Sequence, residues 1–208
     1  MPVRERVVGV DGYARGWVAV ELVDGRFADA KAFRGFPGVC DAFREVACIA
    51  VDIPIGGGPR DADSAARLFV GPRWASVFPT PPAEIVALDD YAEAVGRHPS
   101  LSRQSFGLFR KMREVAAVPH DEPPVIEVHP EVSFCALKGA HLDEPKTAWN
   151  GFMERRRLLA GAGIELPDRL AAGLPLIDVL DAAIAAWSAR RYVRGEKKSL
   201  GEPPAIWY

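Results

Sequence analysis

Between Ala47 and Pro54 the chain reads Ala-Cys-Ile-Ala-Val-Asp-Ile-Pro, apolar at every position except Asp52. A near-continuous apolar run of this length suits a strand covered on both faces, the centre of a sheet with helices above and below. The residues upstream narrow the topology. Val7-Val8-Gly9-Val10 is a short apolar run that opens into Asp11-Gly12, and Trp17 to Val23 is a second run followed by Asp24-Gly25, a strong hairpin signal. Arg26 to Phe33 alternates apolar and polar residues and pairs as a third strand, and a short helix fits Pro37 to Val46. Three strands in a meander, a helix and a buried strand predict an α/β fold. Its first three strands are antiparallel neighbours, and the fourth is joined by a helical crossover.

From Gly56 to about Pro124 the pattern is mostly helical with proline-rich breaks such as Phe78-Pro79-Thr80-Pro81-Pro82, which predicts a helical insertion with a lid-like loop. Pro124 to Pro130 is the last strand candidate, closed by proline, and helices fit Trp149–Ala162 and Ile177–Arg194. Without internal repeats or a flexible linker, residues 1–208 are expected to form a single domain carrying the insertion at about 56–124. Hydrophobic residues make up 49% of the chain, enough for a sizeable core. A net charge of −2 excludes a generally basic nucleic-acid coat protein, so a polyanion must be met by a local patch. No apolar run approaches the ~18–20 residues of a membrane span, and the run before Asp11 is too short for a signal peptide. Cys40, Cys48 and Cys135 lack pairing or metal-ligand spacing and read as small buried apolar residues of a reducing compartment. A soluble, cytoplasmic protein is expected.

Acidic residues fall at comparable places. Asp11 closes the first strand, Asp52 the fourth and Glu127 the fifth, while Asp178 and Asp181 begin the last helix, spaced so as to share one face. In an open α/β sheet, functional groups gather at the carboxyl ends of the central strands. Carboxylates crowded there repel one another unless a cation neutralises them, and hard divalent ions prefer such oxygen donors. Each acid also has a plainer reading: Asp11 before Gly12 as a turn former, Asp178 as a helix-start residue favoured by the dipole. Asp52 and Glu127 resist it, because both interrupt runs that a buried strand keeps apolar.

Taken in order, several motifs resemble the domain of unknown function 429 family over nearly the whole chain. They are Val8-Gly9-Val10-Asp11-Gly12 with Gly16-Trp17, Val51-Asp52-Ile53-Pro54-Ile55-Gly56, Arg60-Asp61 to Ala66-Arg67, Phe78-Pro79, Glu127-Val128-His129-Pro130-Glu131 and Asp178-Val179-Leu180-Asp181-Ala182. The resemblance implies a ribonuclease H-like fold and a predicted nuclease activity, and Asp178-x-x-Asp181-Ala182 also looks like the matching helix start of Holliday-junction resolvases. By the same resemblance Asp11, Asp52 and Asp181 are the metal-binding acids, with Glu127 or Asp178 completing the site. Gly57-Gly58 and Ala62 depart from the family pattern, the latter standing where a cysteine is frequent.

Arg97 to Arg113 carries five Lys/Arg and no acid, interleaved with Phe106 and Phe109. Arg103, Arg110, Lys111 and Arg113 are therefore candidate nucleic-acid contacts, against the alternative of a solvated helix face. His129 is expected to cap a strand end, Arg155-Arg156-Arg157 to face solvent, and Lys146 to offer only weak evidence of a phosphate contact. The leading expectation is a metal-dependent nuclease that hydrolyses DNA or RNA with a carboxylate-bound pair of Mg²⁺ or Mn²⁺ ions, with Asp11, Asp52, Glu127 and Asp181 catalytic. The alternative is a non-catalytic nucleic-acid-binding or regulatory protein that keeps the fold.

Overall fold

The computed structural model describes residues 4–208. β1 (Arg6–Tyr13), β2 (Gly16–Val23) and β3 (Arg26–Phe33) form the antiparallel meander. The β2–β3 turn is the two-residue Asp24-Gly25, with positive φ at both positions (51° and 79°), the geometry whose twist matches the flanking strands. Helix α1 (Phe36–Ala42) leads to β4 (Cys48–Val51), which pairs parallel to β1. Both are shorter than the sequence suggests, so Asp52 lies just past the strand, still held by its N–H donating to the Val10 carbonyl at 2.9 Å.

Between β4 and β5 (Val125–Glu127) run α2 (Asp61–Phe69), a 3₁₀ turn at Gly71–Ser76, α3 (Ala83–Val86), α4 (Tyr91–Arg97), α5 (Arg103–Gly107) and α6 (Phe109–Ala116). Then come α7 (Pro130–Lys138), α8 (Trp149–Gly161), α9 (Leu176–Val193) and a small antiparallel pair, β6 (Ser199–Leu200) and β7 (Ile206–Trp207). The five main strands are ordered β3-β2-β1-β4-β5, and only β2 runs against the rest. This is the mixed five-stranded sheet, with its first three strands an antiparallel meander, that the sequence predicts.

Helix α7 is absent from the sequence reading. Pro130, which reads in the sequence as the end of a strand, occupies the first turn of α7, where its missing N–H costs nothing and its fixed φ suits the helix.

Each face of the sheet carries its own core. Val7, Cys48, Ala50 and Ile126 face α7, α8 and α9, whereas Val8, Val10, Ile49, Val51 and Val125 face α1 and α6. α9 lies directly over β1, β2 and β4. The approach is close at Gly9, where a Cβ would meet the Ala182 carbonyl oxygen at 2.0 Å and the Ala186 nitrogen at 2.1 Å. The alanines of α9 (Ala182, Ala185, Ala186 and Ala189) are fully buried and small enough to permit it. Side chains alternate along a strand, so Asp11 shares the face of Val7 and Gly9, and Asp52 that of Cys48 and Ala50. Both carboxylates are therefore aimed at α9.

Candidate active site

Three of the predicted acids meet. Asp11 from β1, Asp52 from the end of β4 and Asp181 from α9 each offer a carboxylate oxygen, and the three oxygens lie within 4.8 Å of one another. Asp181 is fully buried and Asp11 nearly so. Asp11 Oδ1 accepts from the Gly12 N–H at 2.6 Å. Asp181 Oδ1 is buried with no hydrogen-bond partner, an arrangement that a native fold tolerates where something else supplies the missing contact. Burial pushes all three carboxyl groups upward; neighbouring acids add to it at Asp11, which stands well above its ordinary range, and at Asp52, which reaches about 8, whereas Lys146 opposes it at Asp181.

Among the described residues, Lys146 supplies the one positive charge hydrogen-bonded to the trio. It approaches from the α7–α8 connection and donates from Nζ to Asp181 Oδ2, and the acids in turn hold its ammonium above the ordinary lysine range. In the sequence Lys146 carries little weight. Its partner is distant along the chain, and no local spacing marks a lysine that will face a carboxylate.

Asp178, one turn before Asp181, is half-buried and lines the same cleft as Asp11 and Asp52 without entering the trio. Glu127 is also outside it. It alternates with Ile126 and so shares the Val125 face of β5, turned away from α9. There it accepts from the Ile55 N–H at 2.7 Å and from both terminal nitrogens of Arg60, Nη1 at 2.6 Å. Arg60 Nε donates to Asp63 at 2.9 Å, and Asp63 also accepts from the Thr80 N–H at 2.7 Å. Burial draws these charges together, because a buried carboxylate needs a hydrogen-bonded cation.

A second such pair corrects the expectation for Arg155. It is fully buried rather than solvent-facing, donating to both oxygens of Glu131 at 2.8 Å and to the Glu144 and Gly151 carbonyls. Helix α8 turns Arg155 inward because Glu131, in the first turn of α7, is itself buried.

The cleft beside the acids has a volume of about 330 Å³, and its wall includes Arg73, Ser76, Gln104, Leu108, His129, Lys146 and Thr147. His129 precedes α7 and hydrogen-bonds through Nε2 to the Ser76 carbonyl at 3.2 Å, with burial lowering its pKa. The acid-free stretch reaches this cleft through Gln104 and Leu108 and not through its cations. Arg103 stacks over Tyr91, Arg110 pairs with Glu114, Lys111 donates to the Gly16 carbonyl at 2.7 Å, and Arg113 holds the Val86 and Leu88 carbonyls and Asp89. Phe109 is buried in the core and Phe106 packs against it.

Among the described residues, no helix is long and apolar enough to cross a membrane. The family model described as "Protein of unknown function (DUF429)" matches residues 9–206. No curated protein matches the chain. A solved structure described as "Thermus thermophilus RuvC structure" is similar at 15% identity over 98% of this chain and 99% of that one, with a TM-score of 0.41.

Proposed function

The chain belongs to the DUF429 family, and from that premise and the acid cluster we propose that it is a divalent-metal-dependent nuclease. The observation that carries this reading is the buried trio of Asp11, Asp52 and Asp181, drawn from three separate elements with a carboxylate oxygen of Asp181 left without a partner. The donor set fits a hard divalent cation such as Mg²⁺ or Mn²⁺: all oxygen, mostly desolvated and in net negative excess even with Lys146 present. Asp11, Asp52 and Asp181 would hold the ion, with Asp178 on its cleft side. When bound, such an ion supplies Lewis-acid polarisation of a phosphodiester.

The chain's own groups have separate tasks in this reading. Asp11 and Asp52 sit on rigid strand ends, so their positions do not relax when charge is placed between them. Lys146 offsets part of the trio's charge and stands at the cleft, where it orients a phosphoryl oxygen. Glu127 is a positioning residue in place of a ligand: it locks Arg60 and the Ile55 N–H, and so fixes the loop that follows Asp52.

The test is cleavage of single-stranded, duplex, hybrid and branched nucleic acids by purified protein with Mg²⁺ or Mn²⁺. Cleavage is expected with either metal. Asp11→Asn is expected to abolish it, and to weaken Mn²⁺ binding measured by calorimetry, while the circular dichroism spectrum is unchanged. Protein that binds neither ion and cuts none of these substrates refutes the proposal.

A further inference from the structure

Five tryptophans occur in the chain. Trp17 is buried and Trp187 and Trp207 are packed against the core. The two exposed ones, Trp74 (54%) and Trp149 (75%), stand next to cleft-lining residues along the chain: Trp74 follows Arg73, and Trp149 lies two residues beyond Thr147 and three beyond Lys146. One face of Trp74 is covered by the Arg67 guanidinium, 4.8 Å from the ring centroid.

Arg73 differs from the other arginines around the site. The terminal nitrogens of Arg60 and Arg155 are engaged by carboxylates and carbonyls. Arg73 reaches Glu131 only at 3.8 Å, both Glu131 oxygens being already taken by Arg155, and its Nε has no partner. A guanidinium with open donors on a cleft wall suits a phosphate.

We propose that the cleft receives an unpaired nucleic-acid strand, with a backbone phosphate at Arg73 and flanking bases stacked on Trp149 and Trp74. The proposal rests on the nuclease reading and names its substrate class. An indole needs a free base face, and in a duplex neighbouring base pairs cover both faces of each base. The cations of Arg97–Arg113 are engaged elsewhere, which leaves this entrance as the polyanion contact beside the acids.

The experiment is fluorescence anisotropy of wild-type protein in EDTA with three probes of equal length, about 20 nucleotides: oligothymidylate, a duplex, and a base-free phosphodiester chain. The single strand is expected to bind at least tenfold more tightly than the other two. Trp149→Ala and Trp74→Ala are each expected to weaken it about tenfold, with Phe at either position restoring most of the loss. Arg73→Gln is expected to reduce the salt dependence by about one phosphate contact. Equal affinity for duplex and single strand, or single-strand binding unmoved by the Trp→Ala changes in proteins with unchanged melting, overturns the proposal. Its failure is separable from that of the nuclease reading. Strand binding by a protein that cuts nothing with Mg²⁺ or Mn²⁺ leaves the strand site standing and removes the nuclease. Metal-dependent cleavage confined to duplex, with the tryptophan variants fully active, does the reverse.

Discussion

Gly9→Ala is the most informative single change, because it acts on the distance between β1 and α9. The added methyl would lie 2.0 Å from the Ala182 oxygen and 2.1 Å from the Ala186 nitrogen, against about 3.4 Å for ordinary contact. Both obstacles are backbone, so no side-chain rotation relieves them and the helix must retreat by about 1.4 Å. Overpacking of a core costs about 1–3 kcal/mol and sometimes more, and a clash with backbone belongs at or above the upper end. The retreat also carries Asp181 away from Asp11 and Asp52, opening a cluster whose oxygens now lie within 4.8 Å. Guanidinium unfolding should therefore show a loss of about 3 kcal/mol or more, and Mn²⁺ calorimetry a loss of at least tenfold in affinity. Gly96→Ala is the control. Gly96 lies within α4 with open space around it, so alanine there should stabilise by about 0.5–1 kcal/mol. A Gly9→Ala protein with wild-type stability and unchanged Mn²⁺ affinity would refute the close-approach argument.

Three further outcomes are expected. Asp52 titrates near 8 in the folded protein instead of its ordinary 3.8 because burial and Asp181 oppose its charge. The folded state thus holds a proton that the unfolded chain releases, so metal-free stability should fall as pH rises between about 4 and 8. Asp52→Asn should flatten that slope in denaturation curves. Arg155→Met removes the hydrogen-bonded cation of buried Glu131, leaving only Arg73 at 3.8 Å, and should cost about 3–5 kcal/mol in urea unfolding. Lys146→Met removes the competing positive charge from Asp181 and should tighten Mn²⁺ binding by calorimetry while destabilising the metal-free protein.

Much of the fold follows from local pattern. The Asp24-Gly25 hairpin, the buried β4 run and the bounds of α9 are visible because turn chemistry and apolar period act over a few residues. The convergence of Asp11 and Asp52 is legible for the same reason, since both end apolar runs and strand alternation sets their face. What escaped the sequence depends on long-range pairing. Arg60 meets Glu127, Arg155 meets Glu131 and Lys146 meets Asp181 across intervals with no repeating period. Each partner becomes identifiable only once burial has removed the competing water. The basic stretch Arg97–Arg113 shows the converse: its charge is evident in sequence, but folding commits the cations to Tyr91, Glu114, Gly16 and Asp89. The β6–β7 pair, two residues per strand, is too short for any periodicity to register.

The trio draws on the first strand, the fourth strand and the late helix α9. A ribosome therefore releases the first two acids long before the third. Until α9 emerges and settles on the Gly9 face, Asp11 and Asp52 have no third partner. A growing or prematurely ended chain that stops before α9 lacks the third carboxylate of the cluster. The complete cluster therefore exists only after synthesis has passed α9.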